Sequence, residues 1–119
     1  VRKMLGGGMR QAGVLAAAGI FALEHNITRL KEDHDHAKRL AHLLAQIPAV
    51  TLDLKSVETN IIFFDVKSSR SPVDLVAALK AGGVLINAVG GNTYRAVTHL
   101  DVSADDIDRA GQIFSRVFT

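Results

Sequence analysis

Two cationic side chains flank a run of three glycines near the start of the chain. Lys3 precedes residues 6–8, Arg10 follows them, and an alanine-rich apolar stretch comes next. Glycines ahead of a helix leave backbone N–H groups uncovered, and a helix N-terminus attracts anions. Lysine adds a point charge and arginine a bidentate fork. The segment therefore predicts binding of a phosphate or a carboxylate; the alternative is a flexible connector beside two solvated cations.

Two further candidates lie in the sequence RAVTH at residues 95–99. Arg95 stands among β-prone residues after a Gly-Gly-Asn turn, and His99 follows four residues later, so both should lie on one face of a strand. Arg95 is either an edge-strand residue facing water or a residue that binds an anion. His99 is either hydrogen-bonded beside the sheet or active in proton transfer. Thr59 and Asn60 could present hydroxyl or amide groups to the site, but a turn that satisfies its own backbone is the stronger explanation.

The composition excludes several classes of function. The chain has no cysteine, which rules out disulfides, thiolate metal sites and cysteine nucleophiles. A net charge of +2, no tryptophan and a single tyrosine argue against nucleic-acid binding. The sequence DHDH at residues 33–36 does not predict a metal site, because its two histidines point apart on a helix. The apolar stretch 12–23 is shorter than the roughly 20 residues of a membrane span. We expect a cytoplasmic protein without metal or membrane partner.

Periodicity and capping residues predict eight elements along the chain. Asn26, Ser71 and Ser103 are the expected N-caps of the last three helices. The strand at residues 60–66 is continuously apolar in its middle, which favours burial on both faces. Helices are expected at residues 12–24, 26–46, 72–81 and 103–118, and strands at residues 50–54, 60–66, 84–87 and 94–99.

This order of elements predicts an α+β fold with a small antiparallel sheet of about four strands covered by helices. The 119 residues suffice for one hydrophobic core. The first helix is apolar nearly all round, which predicts burial on several sides against partner surface. We therefore divide the chain into residues 1–25, an interdomain segment with a buried helix, and residues 26–119, a small C-terminal α+β domain.

Three motifs occur in an order that resembles a known family. They are KMLGGGMRQAG at residues 3–13, ETNI at residues 58–61 and RAVTHLDV at residues 95–102. Together they resemble the C-terminal third of the threonine aldolases, pyridoxal-phosphate-dependent enzymes of fold type I in the aromatic amino acid beta-eliminating lyase/threonine aldolase family. The similarity runs essentially from end to end of the chain, and its first and last motifs are specific.

The resemblance implies a role for each cationic candidate. It places Lys3 and Arg10 near the phosphate of pyridoxal phosphate, often across a subunit boundary, and Arg95 on the carboxylate of the amino-acid substrate. The family's Schiff-base lysine belongs to an upstream Ser-Lys motif that this chain does not contain, so no catalytic residue is expected within the segment.

The implied reaction cleaves threonine or allo-threonine to glycine and acetaldehyde in a homodimer or homotetramer that includes a large cofactor-binding domain. The 119 residues by themselves are expected to be inactive. The alternative is a free-standing, non-catalytic α+β module that binds an anionic metabolite or a partner protein, since fold by itself does not fix function.

Overall fold

The computed structural model describes Val1 and residues 3–119 and divides them into two units, Val1–Leu30 and Lys31–Thr119. The first unit contains helix α1 (Gly13–His25), whose alanine and leucine content favours a helix and whose bounds match the prediction within one residue. None of the 13 residues of α1, all of them described, is buried. The expected burial of this helix and the interdomain role of residues 1–25 stay predictions about a larger assembly.

The second unit contains the sheet and three of the helices. Along the chain, the elements are α2 (Leu30–Ala45), β1 (Val50–Thr51), β2 (Ile61–Val66), α3 (Pro72–Ala81), β3 (Asn87–Gly90), β4 (Thr93–Val97) and α4 (Ala104–Phe118). The strands pair in the order β1-β2-β4-β3, and each neighbouring pair is antiparallel. The α+β fold class, the four strands and the order of elements are confirmed.

One face of the sheet carries the hydrophobic core. Phe64 of β2 packs edge-on against Phe114 of α4, with ring centroids 5.9 Å apart, and Tyr94 of β4 lies 6.0 Å from Phe118. Buried side chains of α2, α3 and α4 complete the same cluster. The strand residues that belong to it are Val50, Ile62, Phe64, Val66, Tyr94 and Ala96.

The predicted burial of β2 on both faces is wrong. Its residues alternate between exposed and buried, and Ile61 and Phe63 remain 38% and 52% exposed. An uninterrupted apolar run cannot by itself show whether a second layer covers the sheet, because a strand with one covered face can carry apolar residues on the other. The face that carries Ile61 and Phe63 is called the open face below.

Some predicted boundaries also differ, and three of these differences have a local reason. Asn26 is not an N-cap: its N–H bonds to the carbonyl of Ala22 and ends α1, and α2 starts at Leu30. The first strand stops at Thr51, because Asp53 accepts a hydrogen bond from the Lys55 N–H and caps a short 3-10 turn.

The third boundary concerns β3, which begins at Asn87 rather than at residue 84. Gly83 takes a positive φ of 94°, which glycine adopts without strain. The N–H of Val84 then bonds back to the carbonyl of Leu79, so the next residues still belong to the end of α3.

Ser103 is the N-cap of α4, as the sequence predicts, and it forms a reciprocal capping box with Asp106. Asp106 N–H donates to Ser103 Oγ over 3.2 Å, and Ser103 N–H donates to Asp106 Oδ2 over 3.1 Å. Hydrogen bonds from Ser103, together with the charge of Arg109, hold the pKa of Asp106 below its ordinary 3.8. No helix in the described part of the chain combines the length and apolar character needed to cross a bilayer.

This capping box predicts a pH-dependent stability difference between the chain and its Asp106→Asn variant. Because the pKa of Asp106 is lower in the folded state than in the unfolded state, its stabilisation is present above the ordinary pKa and is lost as the pH falls through the folded value. The free energy of unfolding, measured with urea, should differ most between the two proteins at neutral pH, and this difference should shrink as the pH falls below 3.8, the ordinary pKa. Asp105→Asn, which removes an acid from the same turn but leaves the capping box intact, is the control. A difference that grows on acidification would contradict the assignment.

Candidate functional site

The open face carries a cation beside exposed apolar side chains. Ile61, Phe63 and Val97 are exposed there, and Arg95 lies between them on β4. Because β4 lies between β2 and β3, Arg95 belongs to an interior strand, and the edge-strand alternative is wrong. Its neighbours across the sheet are Phe63 on β2 and Asn87 on β3.

The guanidinium of Arg95 has no partner among the described residues. Its Nε has no accessible surface and makes no hydrogen bond, and no described carboxylate forms an ion pair with this side chain. An enclosed N–H without a partner costs about 1–3 kcal/mol, and more when the group is charged. Because Nε is enclosed, a carboxylate would reach Arg95 through its terminal nitrogens, which can donate two parallel hydrogen bonds.

The carboxylate of Asp65 shares the open face with Arg95, but its hydrogen-bond partner is Thr93. Asp65 lies directly opposite Thr93, whose hydroxyl donates to Asp65 Oδ1 over 2.5 Å. Sequence reasoning missed both residues, because their meeting depends on the pairing of β2 with β4. Their positions at even spacing from Phe63 and Arg95 give the available signal, since side chains two apart share a face.

The sequence predicts that His99 and Arg95 lie on one face of the same strand. This prediction is wrong, because β4 ends at Val97. Its Nδ1 accepts a hydrogen bond from the Asp101 N–H over 3.3 Å. The ring borders a cavity of about 320 Å³ between the end of β4 and α4, which Arg109 and Asp106 also line and Arg95 does not. The hydrogen-bonded alternative for His99 therefore agrees with the structure.

Asn60 joins the start of β2 to the segment after β4. Its Nδ2 donates to the carbonyl of Thr98 over 2.8 Å, and the Thr98 N–H donates to the carbonyl of Asn60 over 2.9 Å. The buried Thr98 hydroxyl in turn donates to the carbonyl of Asp33 in α2. The side chain of Asn60 thus bonds to a carbonyl 38 residues away and does not form the expected turn that satisfies its own backbone.

Lys3 and Arg10 belong to the first unit, where both side chains are exposed. The glycines do not lead directly into the helix as predicted, because turn residues 10–12 intervene before α1. The Gly6 N–H donates to the carbonyl of Lys3 over 3.1 Å, so this amide is already used. Ala12 provides no side-chain cap for α1, and neither cation forms an ion pair within the described residues.

The chemistry available on the open face is binding rather than bond cleavage. Among its described strand residues, Arg95 and Asp65 are the ionisable ones, and Asp65 is held by Thr93. Arg95 is thus equipped to hold a carboxylate, whereas a group that forms or breaks bonds at that carboxylate would come from elsewhere.

Known proteins resemble this chain over most of its length. The model of a family described as beta-eliminating lyase matches residues 1–68. The low specificity L-threonine aldolase of Escherichia coli K12 is 47% identical over 106 residues, which cover 89% of this chain and 30% of that protein. Low-specificity L-threonine aldolase 1 of Arabidopsis thaliana is 39% identical over 109 residues, 90% of this chain and 30% of that protein. The chain thus spans about 30% of the length of these relatives.

Proposed function

Because the chain belongs to the beta-eliminating lyase family, we propose that it forms part of a pyridoxal-phosphate-dependent lyase that cleaves threonine and allo-threonine to glycine and acetaldehyde. The names of the relatives from Escherichia coli and Arabidopsis thaliana support this reaction. The large cofactor-binding domain and the Schiff-base lysine lie, on this proposal, outside the 119 residues.

The unpartnered guanidinium of Arg95 carries the proposal at the level of residues. An amino-acid substrate always presents a carboxylate, and its two oxygens match the two N–H groups at the edge of an arginine. The strand register fixes the start of the Arg95 side chain between Phe63 and Asn87, so the fork is held by the sheet rather than by a loop. Arg95 therefore binds and orients the substrate.

Lys3 and Arg10 fit the phosphate of the cofactor by the chemistry of their donors. Both are exposed cations near a helix start that lacks a side-chain cap, and an ammonium and a guanidinium are suited to a phosphate. Pyridoxal phosphate supplies the electron sink for the reaction when it is bound. Within this chain, the two cations hold its charged group, and Arg95 holds the charged group of the substrate.

The assembly and the compartment follow from the same proposal. A homodimer or homotetramer would bring the first unit against neighbouring subunits and cover the apolar side chains of α1. The enzyme would be cytoplasmic. The similarity to two aldolases over about nine-tenths of the chain favours this enzyme over a free-standing, non-catalytic binding module.

A chimeric enzyme tests the proposed function. The 106 matched residues of the Escherichia coli aldolase are replaced by this chain, and acetaldehyde release from threonine is measured for the chimera and for the 119-residue chain. The chimera should bind pyridoxal phosphate and release acetaldehyde, because this chain supplies the cations that the proposal assigns to the cofactor and the substrate. The 119-residue chain should release none.

A matched control uses the same chimera with Lys80→Gln, which removes an exposed cation on α3. This variant should keep the activity of the parent chimera. Acetaldehyde release by the 119-residue chain, or a folded chimera that is loaded with cofactor and yet inactive, would contradict the proposal.

A further inference from the structure

We propose that Thr93 is a positioning residue, whose hydroxyl holds Asp65 and thereby leaves the guanidinium of Arg95 free for a carboxylate ligand. The inference rests on the proposed function for the identity of that ligand. The hydrogen bond from Thr93 to Asp65 can be tested independently of the proposed function.

The strand register sets up a competition for Arg95. Thr93 and Arg95 are two residues apart on β4, so both side chains point to the open face, and Asp65 lies opposite Thr93 on β2. The diagonal from Asp65 to Arg95 is therefore about 7–8 Å between backbone positions, a separation that long side chains bridge. Asp65 is the carboxylate that could close onto Arg95 from within this face of the described sheet.

The observed hydrogen bonds show which contact Asp65 makes. Its Oδ1 accepts from the Thr93 hydroxyl over 2.5 Å, whereas Nε of Arg95 stays enclosed and unpartnered. A hydroxyl that donates to a carboxylate forms a short, charge-assisted bond. Because this bond gives Asp65 a partner directly opposite, an ion pair between Asp65 and Arg95 across the diagonal gains less.

The consequence is a guanidinium that remains available. If Asp65 paired with Arg95, an incoming carboxylate would have to displace an internal carboxylate of the same charge and geometry. Exposed ion pairs contribute about 0.2–1 kcal/mol, which would weaken the binding of a competing carboxylate by roughly 1.4- to fivefold. Thr93 thus tunes the affinity of the site without touching the ligand.

Nuclear magnetic resonance on the 15N-labelled 119-residue chain tests this role. The Nε–H signal of Arg95 is assigned by its loss in Arg95→Lys, and sodium acetate is titrated against sodium chloride at equal ionic strength. In the parent protein the signal should shift with acetate and not with chloride. Thr93→Val keeps the branched shape but removes the hydroxyl, and it should weaken acetate binding by roughly 1.4- to fivefold.

Two further variants separate the hydroxyl from structural effects. Thr93→Ser keeps a hydroxyl and should retain the acetate affinity of the parent. Adding Asp65→Asn to Thr93→Val removes the competitor and should restore that affinity. If Thr93→Val fails to fold, the same comparison is made between Thr93→Ala and Thr93→Ala with Asp65→Asn.

Each failure has a distinct meaning. Equal acetate affinities of the parent and the valine variant would overturn the role of Thr93, as would a failure of Asp65→Asn to restore binding. In a further outcome, the Arg95 signal does not shift with acetate in the parent, but in Thr93→Val it shows pairing with Asp65. This outcome would support the proposal that Thr93 keeps Asp65 away from Arg95. That result would at the same time contradict carboxylate binding in the proposed function.

Discussion

Replacing Arg95 by glutamine in the chimeric lyase is expected to raise the KM for threonine sharply. Losing one partner of a desolvated, hydrogen-bonded charge pair costs about 2–5 kcal/mol, which corresponds to a factor between about 30 and a few thousand in kcat/KM. Arg95→Lys should recover part of this loss, because lysine keeps the charge but not the planar fork. Steady-state kinetics with threonine as the varied substrate measure both variants.

Arg116→Gln is the matched control for this experiment. Arg116 is exposed near the end of α4, so the same chemical change occurs away from the open face. Its KM should stay close to that of the parent chimera. If Arg95→Gln and Arg116→Gln gave the same KM, Arg95 would not be the carboxylate ligand.

Truncating Phe64 to alanine is expected to destabilise the chain far more than truncating its neighbour Phe63. Phe64 is 2% exposed and lies within 6.1 Å, centroid to centroid, of three other aromatic rings. Its loss leaves a cavity and should lower the free energy of unfolding by about 3–5 kcal/mol. Phe63 is 52% exposed, and its truncation should cost less than about 1 kcal/mol, mainly through lost cross-strand contact.

Urea denaturation of the 119-residue chain measures the two variants side by side. They carry the same substitution on adjacent residues of one strand, so they share its effect on strand propensity. Equal destabilisation would mean that a second layer covers the open face, as the sequence first indicated for β2.

Capping chemistry made the ends of two helices predictable from the sequence. Ser71 accepts a hydrogen bond from the Asp74 N–H and starts α3, and Ser103 does the same for α4 through Asp106. Such caps depend on residues three apart, so a local window contains the whole signal. Asn26 shows the limit of this reasoning, because its own N–H was already committed to α1.

The candidate site was predictable in its principal residue but not in its surroundings. The resemblance singled out Arg95, and the alternation of β4 correctly gives it a face opposite to Tyr94. The meeting of Asp65 with Thr93 depends on the pairing of strands 28 residues apart, which no local pattern fixes. The end of β4 at Val97 likewise depends on tertiary contacts, and it separates His99 from the face of Arg95.

Tyr94 and Arg95 are adjacent on β4 and point to opposite faces of the sheet, so the packing of Tyr94 also fixes the direction of the Arg95 side chain. A slip of the strand by one residue would turn the guanidinium inward and expel the Tyr94 ring from its aromatic neighbours. The same strand register therefore buries the Tyr94 ring and points the Arg95 side chain toward the ligand. Selection for a stable molecule is therefore enough to preserve the direction in which Arg95 points.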